Sequence, residues 1–282
     1  MKVIIRFKGG EGSGNYNHAG RPGEVGGSQP DNEATPLSNY PKANPDGKDT
    51  MEQYMNADGT WTKERQALHE KIIYSFFDGK KPVDNPTSYM LGGGPASGKS
   101  TLLRSGMVTL PENIVLANPD EVKTMLPEFE NGKGSSFVHE ESSYVAKQII
   151  QRAASQKYNV VVDGTGDGGI DGLMKKVKTL SQAGAPVRGI YVTVDTDTAV
   201  ARSLERAKNT GRWVPESFIR ESHAAISAVF PTIAMSGVLD SVDLYDTNSG
   251  KAIRIAHAEG RKFTVDNAAL WKRFIDKAFV KK

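Results

Sequence analysis

The chain of 282 residues contains no cysteine. That excludes disulfides, thiolate metal sites and a cysteine nucleophile, and it suits a reducing cytosol. No apolar run approaches the length of a membrane span, so no membrane partner is expected. Val3-Ile4-Ile5 is too short for the apolar core of a signal peptide, and the expected location is cytoplasmic. Neither sign of charge dominates: 36 Lys and Arg against 33 Asp and Glu leave +3, too little for a strong polyanion-binding field. There is no internal repeat and no basic stripe interleaved with aromatics, so nucleic acid is not an expected partner. Residues 1–48 are poor in large apolar side chains and punctuated by Gly9-Gly10, Arg21-Pro22-Gly23 and Gly26-Gly27-Ser28. Such a segment cannot bury enough surface to offset its ordering entropy, and it reads as a disordered tail ahead of a folded domain over 49–282.

Against these absences stands Gly93-Gly94-Pro95-Ala96-Ser97-Gly98-Lys99-Ser100-Thr101. It fits the phosphate-binding pattern G-x-x-x-x-G-K-[ST]. Gly93 and Gly98 let the backbone curl so that N–H groups point at phosphate oxygens. Lys99 would reach the β- and γ-phosphates of ATP, and the Ser100 hydroxyl would bind Mg²⁺. The apolar run Ser88–Leu91 suits a buried strand feeding the loop, and Leu102, Leu103 and Met107 recur at helical spacing behind it. The bland alternative is a glycine-rich turn capped by a surface lysine.

Around this loop the patterns alternate between helix and strand. A helix is expected from Thr62 to Phe77, with Leu68, Ile72, Ile73, Phe76 and Phe77 on one face. Strands are expected at Ile114–Leu116, Val160–Val162, Ile190–Val194 and Val242–Tyr245. Helices are expected at Val138–Gln156, Gly172–Ala183, Asp197–Lys208 and from Pro215 to about Val229. Lys251–Ala256 and Lys262–Val265 suggest an edge hairpin, and a last helix carries Leu270, Trp271, Phe274, Ile275 and Ala278. Repeated β-α units imply an α/β fold: a three-layer α/β/α sandwich of the P-loop kinase kind, with a mostly parallel sheet.

Open sheets of this kind bind ligands at the carboxyl ends of their strands. Asp163 follows three valines and suits a Mg²⁺ carboxylate; its alternative is a cap or turn. Asp120, in Asn118-Pro119-Asp120, suits a general base for an acceptor hydroxyl, or else an N-cap. Asp195 reads as a cap. Arg202 and Arg206 lie four apart on one helix face, and Gly211 frees Arg212 to swing on a lid where guanidinium groups would stabilise a transferring phosphoryl group. Solvated ion pairs are the alternative. His139-Glu140-Glu141 has no second histidine at ligand spacing and reads as a solvent-facing helix start rather than a metal site. Trp61, Trp213 and Trp271 read as packing residues.

These residues together resemble the zeta toxins of bacterial toxin–antitoxin systems. The resemblance runs from about Lys80 to Asp246. It includes Asn85-Pro86-Thr87, the phosphate loop, Asn118-Pro119-Asp120, Pro127-Glu128-Phe129, Tyr158–Thr165 and Gly211-Arg212-Trp213-Val214-Pro215. It implies a kinase that uses ATP and Mg²⁺ to phosphorylate the 3′-hydroxyl of the amino sugar in UDP-N-acetylglucosamine, with an antitoxin protein as partner. By motif position it implies Asp120 as catalytic base, Thr165 as a substrate contact, and Arg206 and Arg212 as transition-state arginines. Two positions depart from the family. Lys147 falls on a substrate-contacting glutamate, and Asp167 falls on a basic residue. Separately, Gly12–Ser28 looks like a glycine-rich segment of many phage-encoded proteins.

Two other functions fit the same core. One is a nucleoside or polynucleotide kinase, since this fold accepts many hydroxyls. The other is a nucleotide-dependent regulatory or accessory phage protein that phosphorylates no acceptor.

Overall fold

The computed structural model describes residues 48–132, 134–164, 166, 169–210 and 214–279. The glycine-rich segment lies outside these residues apart from Lys48, as do Thr165, Asp167, Arg212 and Trp213.

A seven-stranded sheet organises the fold: β1 (Ser88–Gly92), β2 (Ile114–Ala117), β3 (Asn159–Asp163), β4 (Val187–Thr193), β5 (Ser241–Asp246), β6 (Ile253–Glu259) and β7 (Lys262–Val265), in the order β2-β3-β1-β4-β5-β6-β7. The first five strands in that order run parallel, and β6 and β7 add an antiparallel edge. Val160, Val161 and Val162 are all buried, because β3 is covered on both faces, as parallel strands must be.

The helices are α1 (Thr50–Tyr54), α2 (Lys63–Ser75), α3 (Lys99–Arg104), α4 (Pro119–Met125), α5 (His139–Ser155), α6 (Gly169–Leu180), α7 (Thr196–Thr210), α8 (Glu216–Ser236) and α9 (Ala268–Asp276). One core cluster joins α2, α5, α6, α8 and α9 to a sheet face through Ile73, Ile149, Leu180, Phe230 and Phe274. A second, smaller cluster packs Leu102 of α3 against Leu91, Val161, Ile190 and Tyr245. Three layers result, with the phosphate-loop helix on one face of the sheet.

The strand and helix expectations hold in kind, with several shifts. α1, set by a capping box between Asp49 and Glu52, has no apolar periodicity to announce it. α3 ends at Arg104, so Met107 is exposed rather than part of its apolar face. α6 starts earlier than expected, at Gly169. α8 runs on to Ser236 through the internal Pro231. A proline removes one backbone donor and normally ends or kinks a helix. Here Pro231, Ile233 and Ala234 are buried, and core packing outweighs the local penalty.

Candidate active site

Parallel pairing brings the ends of β2, β3, β1, β4 and β5 to one edge. The phosphate loop leaves β1 there. Gly93 has φ 138°, and a Cβ on it would lie 2.4 Å from the Val192 carbonyl oxygen and 2.7 Å from Ser97 Oγ. A Cβ on Gly94 would lie 2.4 Å from the His223 ring. The start of the loop is thus packed closely, with no room for a side chain at Gly93 or Gly94. Ser97 N–H donates to the Gly94 carbonyl at 3.2 Å, and Leu102 N–H closes the first turn of α3 onto Gly98. Gly98 supplies no side-chain cap, so the first N–H groups of α3 keep no helical acceptor. The Ser97 hydroxyl is buried and has no protein partner. A buried polar atom of this kind is costly unless a ligand or water satisfies it, and a phosphate oxygen fits that need.

Lys99 Nζ donates to the Gly93 carbonyl at 2.8 Å and lies 3.9 Å from Asp163 Oδ1 at the end of β3. Ser100 is exposed on the first turn of α3, with Thr101 beside it. Among the described residues no group of three or more His, Cys, Asp or Glu could hold a metal. A hydroxyl, one carboxylate and phosphate oxygens make the hard-donor set that Mg²⁺ takes in nucleotide sites, so Ser100 and Asp163 fit that ion.

Asp120 stands in the first turn of α4, but Asn118 is the N-cap, its side chain accepting from Asp120 N–H at 2.9 Å. Asn118, not Asp120, is therefore the residue that caps α4. The Asp120 carboxylate is about 40% exposed and accepts from Lys123 Nζ at 3.2 Å. Asp195 precedes α7, and its carbonyl accepts from Ala199 N–H, while its carboxylate pairs with Arg273.

The two helix arginines divide. Arg202 donates to Thr247 Oγ1 at 3.1 Å and to the Thr247 carbonyl at 2.8 Å. Thr247, just past β5, donates to the Ser97 carbonyl at 2.7 Å. Arg202 thus holds the phosphate loop through Thr247. Arg206 lies one turn further along α7 and is partly buried. Lys147 is exposed on α5, two residues past the buried Val145.

The solvent-facing reading of His139-Glu140-Glu141 needs correction. Glu140 is exposed, but Glu141 is completely buried and bonded to Arg65 and His69 of α2. No sequence window links these residues; only the packing of α2 on α5 does.

Two site neighbours went unnoticed in the sequence. His223 of α8 is buried, and its Nε2–H donates to the Pro95 carbonyl at 3.0 Å. Burial, aided by the charges of Lys277 and Lys99, pushes its pKa down to about 4. Lys277, just past α9, donates to Thr193 Oγ1 and to the Val194 carbonyl at 3.1 Å. Burial pushes its pKa down to about 8 despite the nearby Asp195 and Asp246. An isolated histidine on an apolar helix face reads as core, and nothing local marks the lysine.

Residues 75–258 match the family model described as zeta toxin. Toxin zeta of Enterococcus hirae is 31% identical over 117 residues, which is 35% of this chain and 41% of that protein. The match spans only 35% to 41% of the length of the four curated relatives. Among solved structures, the AvrRxo1-ORF1:ORF2 complex with ATP superposes with a TM-score of 0.62 at 20% identity, covering 81% of this chain and 82% of that one. A structure from the PezAT chromosomal toxin–antitoxin system of Streptococcus pneumoniae superposes with a TM-score of 0.54 at 18% identity, covering 69% and 81%. Both likenesses concern the fold. No described helix is long and apolar enough to cross a membrane.

Proposed function

The chain belongs to the zeta toxin family, and on that premise we propose that it is an ATP-dependent kinase that phosphorylates a hydroxyl of a small-molecule acceptor. The first candidate acceptor is a nucleotide sugar, with the 3′-hydroxyl of the amino sugar in UDP-N-acetylglucosamine as its reacting group. The observation that carries the reading is the loop itself: a close-packed cradle, with no room for a Cβ at Gly93 or Gly94, holding a buried, unpartnered Ser97 hydroxyl in the same loop as Lys99, at the carboxyl edge of a parallel sheet. The name of the AvrRxo1 complex with ATP, which shares the fold, agrees with ATP as donor.

In this reading the loop of residues 93–101 binds the phosphates through those backbone N–H groups that have no acceptor within the loop, and Lys99 moves from the Gly93 carbonyl onto the β- and γ-phosphates. Mg²⁺, when held by Ser100 and Asp163, would neutralise phosphate charge as the γ-phosphoryl transfers. Asp120 takes the proton of the acceptor hydroxyl, and its exposure leaves it open to a substrate. Arg206 and Arg212 stabilise charge on the equatorial oxygens. Thr165 contacts the acceptor. The departures at Lys147 and Asp167 bear on the acceptor pocket and leave the ATP half untouched. An antitoxin partner is part of the same proposal, in keeping with the PezAT system's name.

The test is incubation of the protein with ATP, Mg²⁺ and a panel of nucleotide sugars, read by mass spectrometry for the gain of one phosphate. Labelling of UDP-N-acetylglucosamine supports the full reading. If only another acceptor gains phosphate, the kinase assignment stands and the sugar is wrong. If ATP is consumed with no acceptor present and no acceptor is labelled, the kinase assignment falls.

A further inference from the structure

Arg65 of α2 is 5% exposed and fully engaged. Its NH1 and NH2 donate to the two carboxylate oxygens of Glu128 at 2.9 and 2.8 Å, a bidentate fork. Its Nε and NH2 also donate to the two oxygens of Glu141, and His69, one turn along α2, donates Nε2–H to Glu141 Oε1 at 2.6 Å. Arg65 therefore clamps Glu128, in the 3₁₀ turn Pro127–Gly132 just after α4, to Glu141, in the first turn of α5.

Further contacts grip the same stretch. Thr50 of α1 donates both its N–H and its hydroxyl to the Phe137 carbonyl, at 3.0 and 3.1 Å. The Tyr54 ring lies 4.2 Å beneath the Arg65 guanidinium, and its hydroxyl bonds to Glu128. α1 and α2 thus grip the connection from α4 to α5 at Glu128, Phe137 and Glu141. Arg65 lies outside the family match at 75–258, so this brace comes from a part of the chain that the match does not include.

A buried ion cluster is a poor device for stability alone, because desolvation offsets most of the attraction and apolar packing of the same volume does as well. Its directional bonds do set geometry. What they set here is the docking of α4, a helix of 7 residues whose first turn carries Asp120. Asp120 is the second residue of α4, and its backbone and carboxylate bond to Asn118 and Lys123 of the same short segment, so a shift of α4 carries the carboxylate with it.

We propose that Arg65 is a positioning residue for acceptor phosphorylation, acting through Glu128 to hold α4 and so aim Asp120. The inference rests on the kinase reading above. Removing Arg65 would strand the buried Glu141 carboxylate and endanger the fold, so the test is made on Glu128, which keeps 26% of its side chain exposed. In the full-length chain, Glu128→Ala should lower kcat for the nucleotide sugar that the unaltered protein phosphorylates by about tenfold or more, since small misplacements of a catalytic group cost that much. KM for ATP should stay within about twofold, because the phosphate loop is not displaced. Glu128→Gln, which fills the same space and still accepts one guanidinium N–H, should recover part of the loss. Amide hydrogen exchange should quicken over residues 119–130 in Glu128→Ala and stay unchanged over 93–104. Unchanged kcat, or an equal loss in ATP binding and phosphotransfer, would overturn the inference. If the unaltered protein consumes ATP without an acceptor and labels none, the kinase reading fails, and hydrogen exchange alone then judges the brace: no change over 119–130 sinks it.

Discussion

His223 Nε2 lies 3.0 Å from the Pro95 carbonyl oxygen, so a helix on the far side of the loop's own strand supports the phosphate loop from beneath. The contact is close enough that Gly94 has no room for a methyl group: a Cβ there would sit 2.4 Å from the His223 ring. The loop's shape is therefore set by α8 as much as by its glycines.

Gly94→Ala should displace the loop and weaken ATP binding by tenfold or more, about 1.4 kcal/mol. His223→Ala in the same chain opens the space and should restore part of that affinity. Isothermal titration with ATP on the two single variants and the double variant checks this. Strictly additive losses would mean the two residues do not share the contact.

Acid should destabilise the protein through the same histidine. Its ordinary value is 6.5, and in the fold burial pushes it down to about 4. The unfolded chain takes up this proton first as the pH falls. The penalty therefore begins near pH 6.5, grows by at most about 1.4 kcal/mol per pH unit, and is complete below about pH 4. Glu141 acts lower. Burial raises its pKa, but bonds from His69 and Arg65 outweigh this and bring it to about 2, so its contribution is lost only as the pH falls from 4.5 towards that value. Melting temperature should thus fall less between pH 6.5 and 4 in His223→Gln than in the unaltered protein. Parallel curves would remove His223 as the cause.

Asp120→Asn should lower kcat for acceptor phosphorylation by about 10²–10⁴, the range for loss of a general base, while ATP affinity changes by less than about twofold. The change keeps the Asn118 cap, which bonds to the backbone of residue 120 rather than to its carboxylate. Steady-state kinetics alongside nucleotide titration reads both quantities. Retention of most activity would take the base role from Asp120.

Arg202→Ala should weaken ATP binding by roughly fivefold to thirtyfold, about 1–2 kcal/mol for the charge-assisted bonds it gives Thr247. Thr247 would keep its bonds to the Thr193 carbonyl but lose the two from Arg202 that help aim its hydroxyl at the Ser97 carbonyl. Arg202→Lys keeps one such bond and should fall between. An ATP affinity unchanged in Arg202→Ala would show that the loop does not need this support.

The strands and the phosphate loop were legible because each is a local signal. Val160-Val161-Val162 is β-branched and buried on both faces, and Gly93–Thr101 carries its own spacing. α8 was read too short because Pro231 is a local stop signal, whereas its burial is a tertiary gain. Asp120 carries two readings, base and N-cap, that the sequence cannot separate, and only the fold shows that Asn118 is the residue that caps α4. Glu141 looked like surface because its neighbours Glu140 and His139 are polar. Its partners Arg65 and His69 stand in another helix, far off in sequence.

By itself the sequence determined the alternating α/β order, the parallel sheet and the phosphate loop, because hydrophobic period and glycine spacing act over a few residues. Tertiary structure alone decided which charges are buried together, which arginine serves the loop's frame, and that α1 and α2 brace the segment bearing Asp120. Those outcomes depend on helices meeting across the fold, where desolvation makes each polar group find a partner that no stretch of sequence names.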